Sequence, residues 1–311
     1  VRAAFPNSQG SGIPQAIAAR RLRDGRARGA LVSIRIAVGK ILLTLAGLLC
    51  GASIGREGPT VQIGASIMFA IGRLSPNRQP GLILAGASAG IAAAFNTPLA
   101  GIIFGIEEMS RAFEARTSGL LIGGIIAGGL TSLALQGDYT YFGTTSATLD
   151  SALGWLAVPV CGVAGGFMGG VFSRILIEVG KGVPGRVGRA IRQYPIVFAG
   201  LCGLGTALCG LASGDTVYGT GYIEVKGLID HAASLPPSFG LLKMVATILA
   251  SLSGIPGGIF SPSLAVGAGF GFNLSALFPG VPLGAVILLG MVGYFAGVVQ
   301  APITAFVIVG E

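Results

Sequence analysis

Apolar runs alternate with short polar or glycine-rich breaks along the whole chain. The runs cover roughly 30–55, 59–73, 81–106, 119–136, 153–178, 195–213, 239–255, 262–278 and 282–310. Each predicts helix, because lipid offers no partner to an unpaired backbone group. A full crossing takes about 20 residues, so several runs are too short to span. Others are broken by glycine and proline, at Gly55–Pro59, Asn96–Pro98, Gly254–Pro262 and Ala301–Pro302. Broken half-helices in a membrane commonly meet around a binding site.

The pattern also repeats. At an offset of 203 residues, Lys243 falls on Lys40, Gly254 on Gly51, Gly258 on Gly55, Pro262 on Pro59, Gly267 on Gly64 and Ala268 on Ala65. At an offset of 204, Pro302 falls on Pro98 and Glu311 on Glu107. Gly219 and Gly221 fall on Gly10 and Gly12 at an offset of 209. This order of landmarks predicts a duplicated unit, a plan common among transporters. The first unit is expected over 1–150 and the second over 151–311. Runs 153–178 and 195–213 have no counterpart after residue 1, and run 119–136 has none before residue 311. The expectation is therefore a first unit incomplete at its N-terminus and a second incomplete at its C-terminus.

Composition agrees with lipid as the solvent. The 311 residues are 52% hydrophobic and 10% charged, against about 25% charged in soluble domains. Mean hydropathy is +0.80. Many of the 54 glycines lie inside apolar runs at small-xxx-small spacing, as Gly86 and Gly90 or Gly162, Gly166 and Gly170. That spacing lets membrane helices approach closely. The formal net charge is 20 − 12 = +8. Basic residues gather at Arg20, Arg21, Arg23, Arg26 and Arg28, and at Arg174, Lys181, Arg186, Arg189 and Arg192. Placed between apolar runs, they fit short cytoplasmic loops better than a nucleic-acid surface. Cys50, Cys161, Cys202 and Cys209 lack metal-ligand spacing and read as buried small apolar residues. No metal or organic cofactor is expected. With His231 the single histidine, histidine-based catalysis has little to work with.

Three turns rich in glycine and proline lead into apolar helix: Gly10–Pro14, Gly55–Pro59 and Gly257–Pro262. Proline suits a helix start, where its missing N–H is no loss. A helix N-terminus offers free N–H groups and about half a positive charge, which suits an anion. Three such termini converging in a membrane would hold an anion without a full cation, so the ion could still leave. Glu57 lies in the second turn. A carboxylate there conflicts with an anion unless it moves or takes a proton, and burial favours the protonated form of a carboxylate. Competing with the anion and carrying a proton is one reading; pairing with Arg56 is the other. Glu107 is echoed by Glu311, which points to a structural role, whereas Glu108 has no echo and is a candidate proton relay. The alternative is two solvated carboxylates at a cytoplasmic helix end. Lys40 and Lys243 share a repeat position and are expected to pair with carboxylates, set a positive field or support the fold.

Gly86-Ala87-Ser88-Ala89-Gly90 matches the hydrolase pattern G-x-S-x-G. That elbow must follow a strand, and here it sits in an apolar Gly/Ala run. An intramembrane hydrolase at Ser88 is the remote alternative.

The three turns, together with Ala94–Gly101 running on to Glu107 and Glu108, resemble the motifs of the CLC family of chloride channels and chloride/proton antiporters. The resemblance covers essentially the whole chain and is strongest to prokaryotic-type members. It implies an all-α polytopic membrane protein with an inverted repeat and broken, re-entrant helices. It further implies a homodimer with one pathway per subunit, located in a bacterial inner membrane, that transports chloride and protons rather than catalysing a reaction. Matched position by position, Ser11, Gly12, Ile13, Arg56, Gly58, Ile259 and Phe260 are the anion-binding candidates. Ser11 would act through its hydroxyl, and Ile259 and Phe260 through their backbone N–H groups. Glu57 matches the external gate and proton acceptor, and Glu108 the inner proton-transfer glutamate of the exchangers. Serine in the first turn implies chloride preference. Gln15 and Ile17 stand where some exchangers carry acidic residues, one of which neutralises the lysine matching Lys40. Exchange of chloride for protons is the expectation, and a passive chloride channel of the same fold the alternative.

Overall fold

The computed structural model describes residues 4–110, 115–137, 139–230 and 235–311. His231 lies outside the described residues. Among these, apart from two isolated β-bridges, regular structure is helical. In chain order come α1 (Ile13–Arg21), α2 (Gly25–Leu31), α3 (Ile34–Leu49), α4 (Glu57–Ile71), α5 (Gln79–Phe95), α6 (Pro98–Phe104) and α7 (Ala115–Gln136). After a connector over 137–151 follow α8 (Ala152–Lys181), α9 (Gly185–Gln193), α10 (Pro195–Ser213), α11 (Tyr222–Ile229), α12 (Phe239–Leu252), α13 (Phe260–Leu274), α14 (Leu283–Val299) and α15 (Pro302–Gly310).

Four stretches are long and apolar enough to cross a membrane: Gly25–Leu49, Gly119–Gln136, Ala152–Lys181 and Pro195–Ser213. Their outer faces carry exposed Leu42, Leu45, Val163, Phe167, Leu204 and Leu211, as lipid-facing helices do. The runs 81–106 and 282–310 are each broken in two. α5 stops at Asn96 (φ 60°) and α14 at Gln300 (φ 58°), both left-handed C-caps. Pro98 and Pro302 then open α6 and α15. These short helices cap each other. The Glu107 carboxylate, on a π-helical turn after α6, accepts the N–H groups of Ile303 (3.1 Å) and Thr304 (2.6 Å) and the Thr304 hydroxyl (2.7 Å). The Glu311 carboxylate accepts the N–H groups of Leu99 (3.2 Å) and Ala100 (3.0 Å). Each glutamate thus satisfies orphan donors at the other's helix start, the structural role expected of the echoed pair.

Glycines set the tightest contacts. Gly86 packs against the Gly64 backbone, and a Cβ on Gly90 would sit 2.6 Å from the Thr60 carbonyl oxygen. On α8 two rows of glycine contribute to the contact with α14. A Cβ on Gly162, Gly166 or Gly170 meets nothing within 4 Å, whereas one on Gly165 would lie 2.6 Å from Tyr294 N. Gly165 and Gly169 point into α14, while Gly162 and Gly166 present bare backbone to it: a Cβ on Gly293 would lie 3.3 Å from the Gly162 Cα, and one on Gly297 2.6 Å from the Gly166 carbonyl oxygen. Two smaller expectations also change. Cys50 is exposed, at the end of α3, while the other three cysteines are buried and all four are free. Arg28 is buried within α2, donating to the Leu22 carbonyl (2.7 Å) and to Gln79 Oε1 (2.8 Å), so it is a structural cation. Arg174 is exposed and lies within the span of α8 rather than in a loop.

Candidate anion site

The three turns meet, and their backbones hold them together. Gly10 N–H donates to the Ile255 carbonyl (3.3 Å), and Gly257 N–H donates to the Gly10 carbonyl (3.1 Å). Gly55 and Gly258 exchange two hydrogen bonds, each 2.7 Å. Glycine is required at the junction. A Cβ on Gly58 would lie 2.9 Å from the Ser11 carbonyl oxygen and 3.2 Å from the Gly258 Cα. Gly12 (φ 95°) has a backbone that L side chains rarely adopt, and a Cβ on it would strike Gln62. Buried Gln62 ties the assembly to its surroundings, donating to the Asn7 (3.0 Å) and Leu31 (2.9 Å) carbonyls.

Two buried lysines brace the Gly10 turn and the turn that leads into α11. Lys40 Nζ donates to the carbonyls of Ser8 (2.9 Å) and Gly10 (2.7 Å). Lys243 Nζ donates to those of Val217 (2.8 Å), Tyr218 (3.2 Å) and Gly219 (2.9 Å). Backbone dipoles are thus the partners of both cations. Gln15 donates to the Gln9 carbonyl (2.9 Å), next to the first turn.

Ser11 is half-buried, with its Oγ 3.4 Å from the N–H of buried Ile13 at the start of α1. Ile259 is the N-cap of α13, and Phe260 is its first residue, 3% exposed. Phe260 packs edge-on against Phe104 (6.2 Å) and Phe295 (4.8 Å). Glu57 is fully buried at the start of α4. Its Oε1 accepts from the Ser261 hydroxyl (2.6 Å) and the Tyr141 hydroxyl (3.0 Å), and its Oε2 from the Ser261 N–H (3.4 Å). The carboxylate therefore rests on the N-terminus of α13, where backbone N–H groups and the helix dipole favour negative charge.

The structure separates two candidates from this group. Arg56 is exposed, and its guanidinium stands 5.4 Å over the Tyr141 ring, while Glu57 takes its hydrogen bonds from Tyr141 and Ser261. Glu108 lies on the π-helical turn with Glu107, half-buried, beside Met109, whose carbonyl accepts from Arg20 Nη1 (3.3 Å). Ser88 is buried in the middle of α5 with no strand before it, so the hydrolase elbow does not form. Among the described residues no cluster of metal-ligating side chains occurs.

Two residues of the site escaped the sequence reading. Ser261 was visible inside its motif, between Phe260 and Pro262. Tyr141 lies in the polar connector, where the signal was the aromatic group Tyr139, Tyr141 and Phe142 in a Thr/Ser-rich stretch.

A family model described as voltage gated chloride channel matches residues 1–311. The chain is similar to the H(+)/Cl(-) exchange transporter ClcA of Yersinia pestis bv. Antiqua (strain Angola), 34% identical over 328 residues, 98% of this chain and 66% of that protein. It is also similar to ClcA of Salmonella arizonae, 33% identical over 340 residues, 100% of this chain and 67% of that protein. The chain thus spans about two thirds of the length of these relatives. Among solved structures, a CLC-type fluoride/proton antiporter shares the fold with a TM-score of 0.80 at 24% identity, over 96% of this chain and 77% of that one. A slow cyanobacterial Cl-/H+ antiporter matches with a TM-score of 0.71 at 26% identity, over 99% and 73%. Convergent glycine turns around a buried glutamate, on broken helices in an apolar all-α chain, are therefore those of a member of the CLC family, to which this chain belongs.

Proposed function

We propose that the protein exchanges chloride for protons across a membrane, through a pathway within each subunit. The observation that carries this reading is the buried Glu57 carboxylate, seated on the N-terminus of α13 where three glycine turns meet. A carboxylate and an anion cannot share that ground, so chloride displaces Glu57, and a proton makes Glu57 easier to displace. Chloride would then meet the Ser11 hydroxyl and the N–H groups of Ile259 and Phe260, with Gly12, Ile13 and Gly58 shaping the approach. Arg56, at the exposed rim, contributes a positive field. Glu108 passes protons to and from the cytoplasm. The likeness to proton-coupled exchangers supports this reading. The units 1–150 and 151–311 act as two repeats of one plan, supported by the matched lysine braces and reciprocal glutamate caps. The setting is a lipid bilayer, in a bacterial inner membrane, and the assembly a homodimer; wide apolar faces on α8 and α10 support both.

Proteoliposomes with a chloride gradient as the sole driving force test the proposal. Uphill proton movement, abolished by Glu57→Gln and by Glu108→Gln, is expected. Chloride flux with no proton movement would instead establish a passive channel and return Glu108 to a structural role.

A further inference from the structure

Tyr141 and Ser261 come from different parts of the chain and end on one carboxylate oxygen. Tyr141 lies in the connector between α7 and α8, and Ser261 in the first turn of α13. Their oxygens are also 3.0 Å apart, which closes a triangle with Glu57 Oε1. The Tyr141 ring is fixed edge-on by Phe95 (5.1 Å), Phe142 (4.7 Å) and Tyr222 (5.3 Å), and from above by Arg56. A hydroxyl on a wedged ring is a pre-placed donor, with little side-chain freedom left to lose.

Counting protons shows what the triangle does. With Glu57 ionised, two hydroxyl protons serve three contacts, and both point at Oε1, as charge-assisted hydrogen bonds favour. With Glu57 protonated on Oε1, three protons serve three contacts in a ring, Glu57 to Ser261 to Tyr141 and back. The ionised form loses more when the donors are removed, because hydrogen bonds to a charged acceptor are about twice as strong as neutral ones.

Resting on the reading of Glu57 as the gate, we propose that Tyr141 and Ser261 are positioning residues: a hydroxyl latch that holds the Glu57 carboxylate closed. The latch sets the chloride concentration and the acidity at which the gate releases. It also makes the connector segment 139–151 part of the gate. Other charges around Glu57 are engaged elsewhere or absent. α5 and α13 contain no ionisable residue, and Glu57 is the only one in α4. Lys40 of α3 and Lys243 of α12 are bound to backbone carbonyls, Arg28 of α2 is bound to Leu22 and Gln79, and Arg20 and Arg21 lie at the far end of α1. Tyr222 of α11 faces Tyr141 through its ring. Glu224 of α11 acts on Lys243, and Lys226 stands over the Tyr222 ring, which leaves, among the described residues, Tyr141 on the carboxylate and Arg56 over the Tyr141 ring.

The test is chloride turnover in proteoliposomes, measured against chloride concentration and against pH. The variants are Tyr141→Phe, which keeps the wedged ring, and Ser261→Ala, each alone and with Glu57→Gln. Either latch variant should lower the half-saturating chloride concentration about tenfold at neutral pH. The pH of half-maximal turnover should rise by about one unit. In the Glu57→Gln background both shifts should vanish, since no carboxylate remains to be held. Equal shifts with and without Glu57 would mean that the hydroxyls act on the fold, and unchanged profiles that they hold nothing; either overturns the latch. If Glu57→Gln itself leaves proton coupling intact, the gate reading falls, and the latch falls with it.

Discussion

At the start of α4 the chain reads Gly55-Arg56-Glu57-Gly58-Pro59, and at the start of α13 it reads Gly258-Ile259-Phe260-Ser261-Pro262. The backbones nearly coincide. The N-cap dihedrals are φ −96°, ψ −17° at Arg56 and φ −110°, ψ −4° at Ile259. The two leading glycines pair with each other through mutual hydrogen bonds. The side chains differ where it matters. Glu57 stands opposite Phe260, both buried, and Gly58 stands opposite Ser261. One turn supplies the carboxylate, and the other supplies the hydroxyl that receives it. Two turns of nearly the same backbone thus give an asymmetric site, because the chemistry rests on two positions that the scaffold leaves free.

Substitutions can break this comparison, beginning with the two lysine braces. Lys243→Met leaves three carbonyls, one of them fully buried, without their donor, and Lys40→Met leaves two. Thermal unfolding in detergent should show losses of about 3 and about 2 kcal/mol respectively. A larger loss at Lys40 would contradict the ranking by hydrogen bonds. Next comes the fourth position of each turn. Gly58→Ala forces a Cβ against the Ser11 carbonyl oxygen, at a cost of about 1.5 kcal/mol and with reduced chloride turnover. Ser261→Gly opposite it should leave the fold intact. Equal destabilisation at both would mean that the two turns are not filled differently. The smallest effects are expected at the caps, about 1 kcal/mol for Glu107→Ala and less for Glu311→Ala. Glu107 accepts three hydrogen bonds and Glu311 two.

Much of this architecture was legible in the sequence, for definable reasons. Breaks at Asn96–Pro98 and Ala301–Pro302 could be read because proline cannot continue the preceding helix. The glycine turns could be read because their spacing recurs in both halves. What stayed hidden was partnership. Lys40 and Lys243 were visible as a pair, but the carbonyls that hold them carry no sequence letter. Tyr141 lies 84 residues from Glu57 in a stretch without periodicity, so its letter gave no direction. On α8 the Gly162 row was visible, but not that Gly165 and Gly169 join it against α14.

The reciprocal caps between α6 and α15 carry a consequence for biosynthesis. Leu99 and Glu311 are 212 residues apart, a distance that takes about 10–40 s to translate at about 5–20 residues per second. Throughout that interval α6 begins with two N–H groups whose acceptor has not yet been made. A bilayer offers such groups no partner, so the early half waits in an unfinished state in which water or the insertion machinery must meet them. Arrival of Glu311 ends the wait, and in the same contact α15 receives Glu107. The late half completes the early one and is completed by it.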